Sequence, residues 1–63
     1  MSYIAKIDDT YISVHRTYEG ALKAIMEYEG FTPAQIRDLL KNGEDITMTD
    51  SSYQIIETVR WYE

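Results

Sequence analysis

The 63-residue chain predicts an α+β fold in ββααββ order, a four-stranded antiparallel sheet with a helical hairpin packed on one face. Three observations carry this expectation. Both ends of the chain alternate apolar and polar residues with the period of two that a half-buried strand requires. The middle repeats its apolar residues every three or four positions, as a helix with one buried face does. The short chain has material for one core only, so residues 1–63 are read as a single domain.

Tyr3-Ile4-Ala5-Lys6-Ile7 is a short β-prone run, and Asp8-Asp9-Thr10 supplies turn residues whose side chains bond their own backbone. In Tyr11-Ile12-Ser13-Val14-His15-Arg16 the alternation places Ile12 and Val14 on one face and Tyr11, Ser13 and His15 on the other. The two runs form a β-hairpin with a three-residue connection.

Thr17 is the N-cap of the first helix, and Glu19 in its first turn complements the helix dipole. Tyr18, Ala21, Leu22, Ile25 and Met26 make its apolar stripe, and Gly30 stops it. The second helix opens on Thr32-Pro33-Ala34-Gln35, a capping box with Pro at the first helical position. Phe31 and Ile36 bracket that box as a hydrophobic staple; Ile36, Leu39 and Leu40 form the stripe, and Asn42-Gly43 ends it.

Ile46-Thr47-Met48-Thr49 alternates again and reads as the third strand, with Asp50-Ser51-Ser52 as the following turn. The last run, from Tyr53 to Tyr62, is β-prone throughout. Its alternation breaks at Ile55-Ile56, so it either carries a bulge or buries both faces over part of its length.

Composition narrows the function. Six Lys and Arg against eleven Asp and Glu give a net charge of −5, the opposite of the basic stripe that neutralises phosphates, so no direct nucleic-acid contact is expected. No cysteine is present, which removes a thiol nucleophile and any Cys-based zinc site. Asp45, Thr47, Thr49 and Asp50 lack the spacing of a calcium loop, and the three glycines are isolated rather than gathered into a phosphate cradle. No cofactor or metal is expected. The start of the chain has no apolar run of the signal-peptide kind, and no stretch reaches membrane-spanning length. A cytoplasmic protein with no membrane partner is the expectation.

Catalysis is not expected. Ser13 and His15 share a strand face and several carboxylates could orient the His, but strand neighbours two apart are separated by roughly 6–7 Å, too far for a direct Ser–His hydrogen bond. A histidine on a solvent-facing strand is more often a surface residue than a base.

Aromatic and acidic groups are the surplus. Six Tyr, one Trp and one Phe exceed what two helices on one sheet face can use. Packing on the core and simple strand preference account for part of that number. The second sheet face stays open, and Tyr11, His15, Tyr53, Trp61 and Tyr62 are the candidate anchors there for a partner protein. Following the direction of the chain brings both hairpin turns and the helix joint to one end. Asp8, Asp9, Glu27, Glu29 and Asp50 collect at that end, with Lys6 the nearest base. The bland reading is a solvated set of turns; the functional one has Asp8, Asp9, Glu29 and Asp50 steer the chain onto a larger protein with a basic surface.

A short, acidic, cysteine-free, Tyr-rich chain built as one sheet with two helices resembles the small accessory proteins encoded by bacteriophages. The resemblance is one of overall style and rests on no diagnostic motif. It implies a non-enzymatic inhibitor or modulator that docks directly on a host or defence protein, working in the host-cell cytoplasm. Some proteins of that kind imitate the charge of DNA, so a DNA mimic occupying a nucleic-acid site is one alternative. A small homo-oligomer, such as a homodimer that pairs its open sheet face, is the other.

Overall fold

The computed structural model describes residues 1–59. In chain order it holds β1 (Ser2–Ile7), β2 (Thr10–His15), α1 (Tyr18–Tyr28), α2 (Pro33–Lys41), a single 3-10 turn at Ile46–Met48, and β3 (Tyr53–Thr58). The sheet has three strands in the order β2-β1-β3, antiparallel throughout. The four-stranded ββααββ expectation is therefore corrected to three strands with a helical turn where the third was placed.

The reason is local hydrogen bonding. The Asp45 carboxylate accepts from the Thr47 N–H at 2.9 Å and from the Thr47 hydroxyl at 2.6 Å. The Thr49 hydroxyl donates to the Ile46 carbonyl at 3.0 Å, and the Met48 N–H to the Asp45 carbonyl at 3.1 Å. Short polar side chains thus offer the backbone partners that a sheet ladder would otherwise supply. Ile46 still packs on the core, whereas Met48, its alternation mate, is 81% exposed.

The β1–β2 connection is also shorter than expected. Ile7 pairs with Thr10, leaving a two-residue turn of Asp8 and Asp9 at φ 51° and 66°. Positive φ at both central residues is the turn whose twist suits a hairpin, and Asp tolerates it better than most side chains. Farther along, Lys6 faces Tyr11 but Ala5 faces Ser13, so Ile12 is an extra residue in β2. This bulge reverses the expected facing of the strand beyond it. Ser13 and His15 share the helix side with Ala5 and Tyr3, and Val14 turns outward beside Ile4. Ile12 itself still packs against the core.

β3 runs in unbroken register against β1, from Ile7 opposite Tyr53 to Ser2 opposite Thr58. The Ile55-Ile56 break is thus no bulge: Ile55 faces the helices and Ile56 the opposite side. The helices are laid down by local sequence. Thr17 accepts from the Gly20 N–H at 2.9 Å, and the Thr32–Gln35 capping box is complete. Ala5 and Ala21, both fully buried, let α1 approach β1 closely, with Ile7 and Ile25 beside them. Leu22, Met26 and Ile36 join α1 to α2, with Phe31 packed alongside.

Candidate functional site

The helices leave one sheet face uncovered. On it β1 presents Ser2, Ile4 and Lys6, flanked by Val14 and Tyr11 from β2 and by Thr58, Ile56 and Gln54 from β3. Across its middle runs the row Val14–Ile4–Ile56, one residue from each strand. Ile4, between the other two, is only 7% exposed, while Val14 and Ile56 are each 38% exposed. Tyr11 is 64% exposed, with the Lys6 ammonium 5.2 Å from its ring centroid.

The anchors expected on this face are only partly there. Tyr11 is. His15 is not: the bulge turns it to the helix side, where Gly20 leaves room for it; a Cβ at Gly20 would lie 3.5 Å from that of His15. Ser13 Oγ and His15 Nε2 are 2.6 Å apart, so the expected gap between them is also corrected. The long imidazole and the hydroxyl lean together across the strand repeat. Among the described residues no carboxylate hydrogen-bonds the other ring nitrogen, which a Ser-His-acid triad requires. Tyr53 and Tyr3 likewise face the helices, opposite Ile7 and Glu57. The Tyr3 ring meets that of Tyr18 edge-on at 6.0 Å between centroids. Trp61 and Tyr62 lie outside the described residues.

The acidic end forms around Tyr53. The Asp8 N–H donates to the Ser52 carbonyl at 2.8 Å, which fastens the β1–β2 turn to the approach of β3. Asp50 accepts from the Ser52 N–H at 3.0 Å and from its hydroxyl at 2.8 Å, and those bonds hold its carboxyl below the usual range. Partial burial pushes the Tyr53 phenol up, and the charges of Glu29, Asp50 and Asp8 push it further in the same direction. The charges of Asp8, Glu29 and Asp50 therefore all act on one phenol. Asp9 sits at the turn tip with Lys6 at 3.9 Å, the only salt bridge among the described residues.

Sequence reasoning missed a third group. The Tyr18 hydroxyl donates to Asp45 and lies 3.3 Å from the Thr47 hydroxyl. Burial and the neighbouring carboxylate push the Tyr18 phenol up. Burial alone would raise Asp45, but hydrogen bonds from Thr47 and Tyr18 outweigh it and hold the carboxyl below its ordinary value. The signal available was Asp two residues before Thr or Ser, at Asp45–Thr47 and again at Asp50–Ser52, the spacing of a side chain that caps its own turn.

A groove of about 550 Å³ lies between α1 and α2, with Ile36 and Leu40 in its floor and Glu19, Glu27, Arg37 and Lys41 on its rim. Glu27 thus belongs to the helix groove. Among the described residues no three His, Asp or Glu side chains converge as a metal site. None of their helices is long and apolar enough to cross a membrane. Comparison with protein families, with curated proteins and with solved structures finds no match.

Proposed function

We propose that this chain is a non-enzymatic protein-binding module, an inhibitor or modulator of the phage-accessory kind, that docks through its open sheet face. The observation that carries the reading is the Val14–Ile4–Ile56 row, an apolar strip that crosses all three strands with neither helix over it. Tyr11 stands beside the strip as an amphipathic anchor, the residue type that contributes most at the centre of protein interfaces. Three carboxylates, Asp8, Glu29 and Asp50, act together on Tyr53 at one end rather than standing in a row along a face. That arrangement favours steering toward a basic surface over imitation of a phosphate backbone.

Photocrosslinking from position 11 tests it, with position 41 on α2 as the control. Adducts formed from position 11 should be competed by excess unmodified protein and not by the Val14→Lys/Ile56→Lys variant. Adducts equally abundant from both positions, or equally competed by that variant, would refute docking through this face. With the captured partner in hand, changing Asp8, Asp9 and Asp50 to Asn should slow association and flatten its dependence on salt.

A further inference from the structure

We propose that the outer edge of β3 pairs with β3 of a second copy of this chain, joining two sheets into one of six strands. The starting point is the phase of the ladder. The Asp8 N–H bonds the Ser52 carbonyl, while the Tyr53 N–H turns away to the Asp50 carbonyl at 3.2 Å. Antiparallel pairs alternate between exchanging both hydrogen bonds and exchanging none. Gln54, Ile56 and Thr58 therefore bond β1, and Ile55 and Glu57 direct their N–H and C=O groups outward. Among the described residues no backbone hydrogen bond outside the ladder reaches either of them.

The two edges of the sheet differ in a telling way. β2 carries the Ile12 bulge, a device that bends an edge and spoils it as a template. β3 is six residues in regular register, with no proline and Glu57 as its only charge. Among the described residues it has no bulge and no proline, and the Glu57 charge is the one protection along the strand itself.

A second copy fits this edge better than an arbitrary strand, for two reasons. A two-fold axis at Ile56 lets Ile55 exchange hydrogen bonds with Glu57 of the other copy, and the reverse. That register continues the open-face row as Val14–Ile4–Ile56 followed by its mirror order, one apolar strip across six strands. Centring on Ile55 instead would set Ile56 against Gln54 and break the strip. The second reason is electrostatic. β3 leaves the acidic end at Tyr53, so antiparallel pairing sends the two negative ends to opposite extremes, separated by about the 20 Å length of the strand. Two chains of net charge −5 thus meet with their densest charge apart. This pairing does not rest on the docking reading, and it leaves the open face free.

Three variants of the full chain test it by sedimentation velocity at low and high concentration. Glu57→Pro removes an outward N–H and the exposed 3.4 Å bond from the Tyr3 hydroxyl, but no bond of the β1–β3 ladder, so the sheet persists by circular dichroism while the dimer's dissociation constant rises roughly tenfold or more. Glu57→Gln keeps the N–H and dimerises like the parent. Ile56→Cys, in a chain that has no other cysteine, forms a disulfide-linked dimer on mild oxidation, because residues facing each other without hydrogen bonds lie about 4.5 Å apart. A parent chain that is monomeric throughout, a Glu57→Pro chain that dimerises as tightly, or an Ile56→Cys chain that stays uncrosslinked would each overturn the proposal. A monomer that instead takes up an extended peptide on β3 would overturn it too.

Discussion

The Tyr18 hydroxyl donates to the Asp45 carboxylate, a bond between the first residue of α1 and the cap of the 3-10 turn that lies 27 positions later. Tyr18 also meets the Tyr3 ring, so one side chain ties the turn, the helix and the central strand together.

The bond is exposed, yet removing either end of it should cost stability because it joins elements distant in the chain. Asp45→Ala loses a cap as well as the tie and is expected to destabilise by about 1–2 kcal/mol. Tyr18→Phe loses one hydrogen bond, about 0.5–1.5 kcal/mol. The double variant should fall short of the sum, which urea denaturation of all four chains would measure as a coupling energy. Strict additivity would mean that the two residues act separately.

The same pair contributes to the dependence of stability on pH. The Asp45 carboxyl sits below its ordinary value of 3.8, so its contribution is complete above that value and fades as the pH falls through the lower, folded value. The Tyr18 phenol sits above its ordinary 10.0, so its contribution is complete below 10.0 and fades as the pH rises through the raised value. Stability curves of the parent and of Asp45→Asn should converge in acid, and those of the parent and of Tyr18→Phe in alkali. Curves that stay parallel over either limb would contradict the assignment for that residue.

The β1–β2 turn can be improved. Asp8 and Asp9 both hold positive φ, which costs an L-residue with a Cβ more than it costs glycine. Asp8→Asn with Asp9→Gly gives the preferred pair for this turn and should stabilise by about 1 kcal/mol. The Lys6–Asp9 ion pair, which Asp9→Gly removes, is long at 3.9 Å with its carboxylate 93% exposed, and is worth little. A lower melting temperature would show that the turn is held by something other than its dihedral angles.

Gly20 is the opposite case. Glycine inside a helix ordinarily loses about 0.5–1 kcal/mol to alanine. Here a Cβ would meet the Thr17 hydroxyl at 3.0 Å, the atom that caps the helix, and His15 behind it. Gly20→Ala should bring no gain in urea midpoint, whereas the same change in a Thr17→Ala background should bring one. Stabilisation in the parent would show that the cap moves freely.

Legibility in the sequence followed the range of the forces. The caps at Thr17 and Thr32, the stop at Gly30 and both apolar stripes are fixed within a few neighbouring residues, and each stands where the pattern placed it. The expected strand at Ile46–Thr49 failed because four alternating residues are too few to outweigh Asp45, Thr47 and Thr49 bonding their own turn. The Ile12 bulge has no local mark; it exists only as a mismatch between β2 and the strand it pairs with. Through it Ser13, Val14 and His15 changed faces while Tyr11 and Ile12 kept theirs, which moved His15 away from the candidate site and brought Val14 into it. Tyr53 was misplaced for a related reason, since Ile55-Ile56 left the facing of the last strand open until β1 set its register.

The central position of β1 carries a consequence for the order in which the molecule is assembled. Its neighbour on one side is the next strand in the chain, but its neighbour on the other is the last, with Ser2 beside Thr58. The hairpin and α1 can therefore form from contacts close in sequence, whereas the sheet is complete only when a loop spanning both helices closes, the step with the greatest entropic barrier. Without β3, Ala5 and Ile7 lack the wall that Tyr53 and Ile55 supply, so the interior depends on the pairing that is longest in sequence.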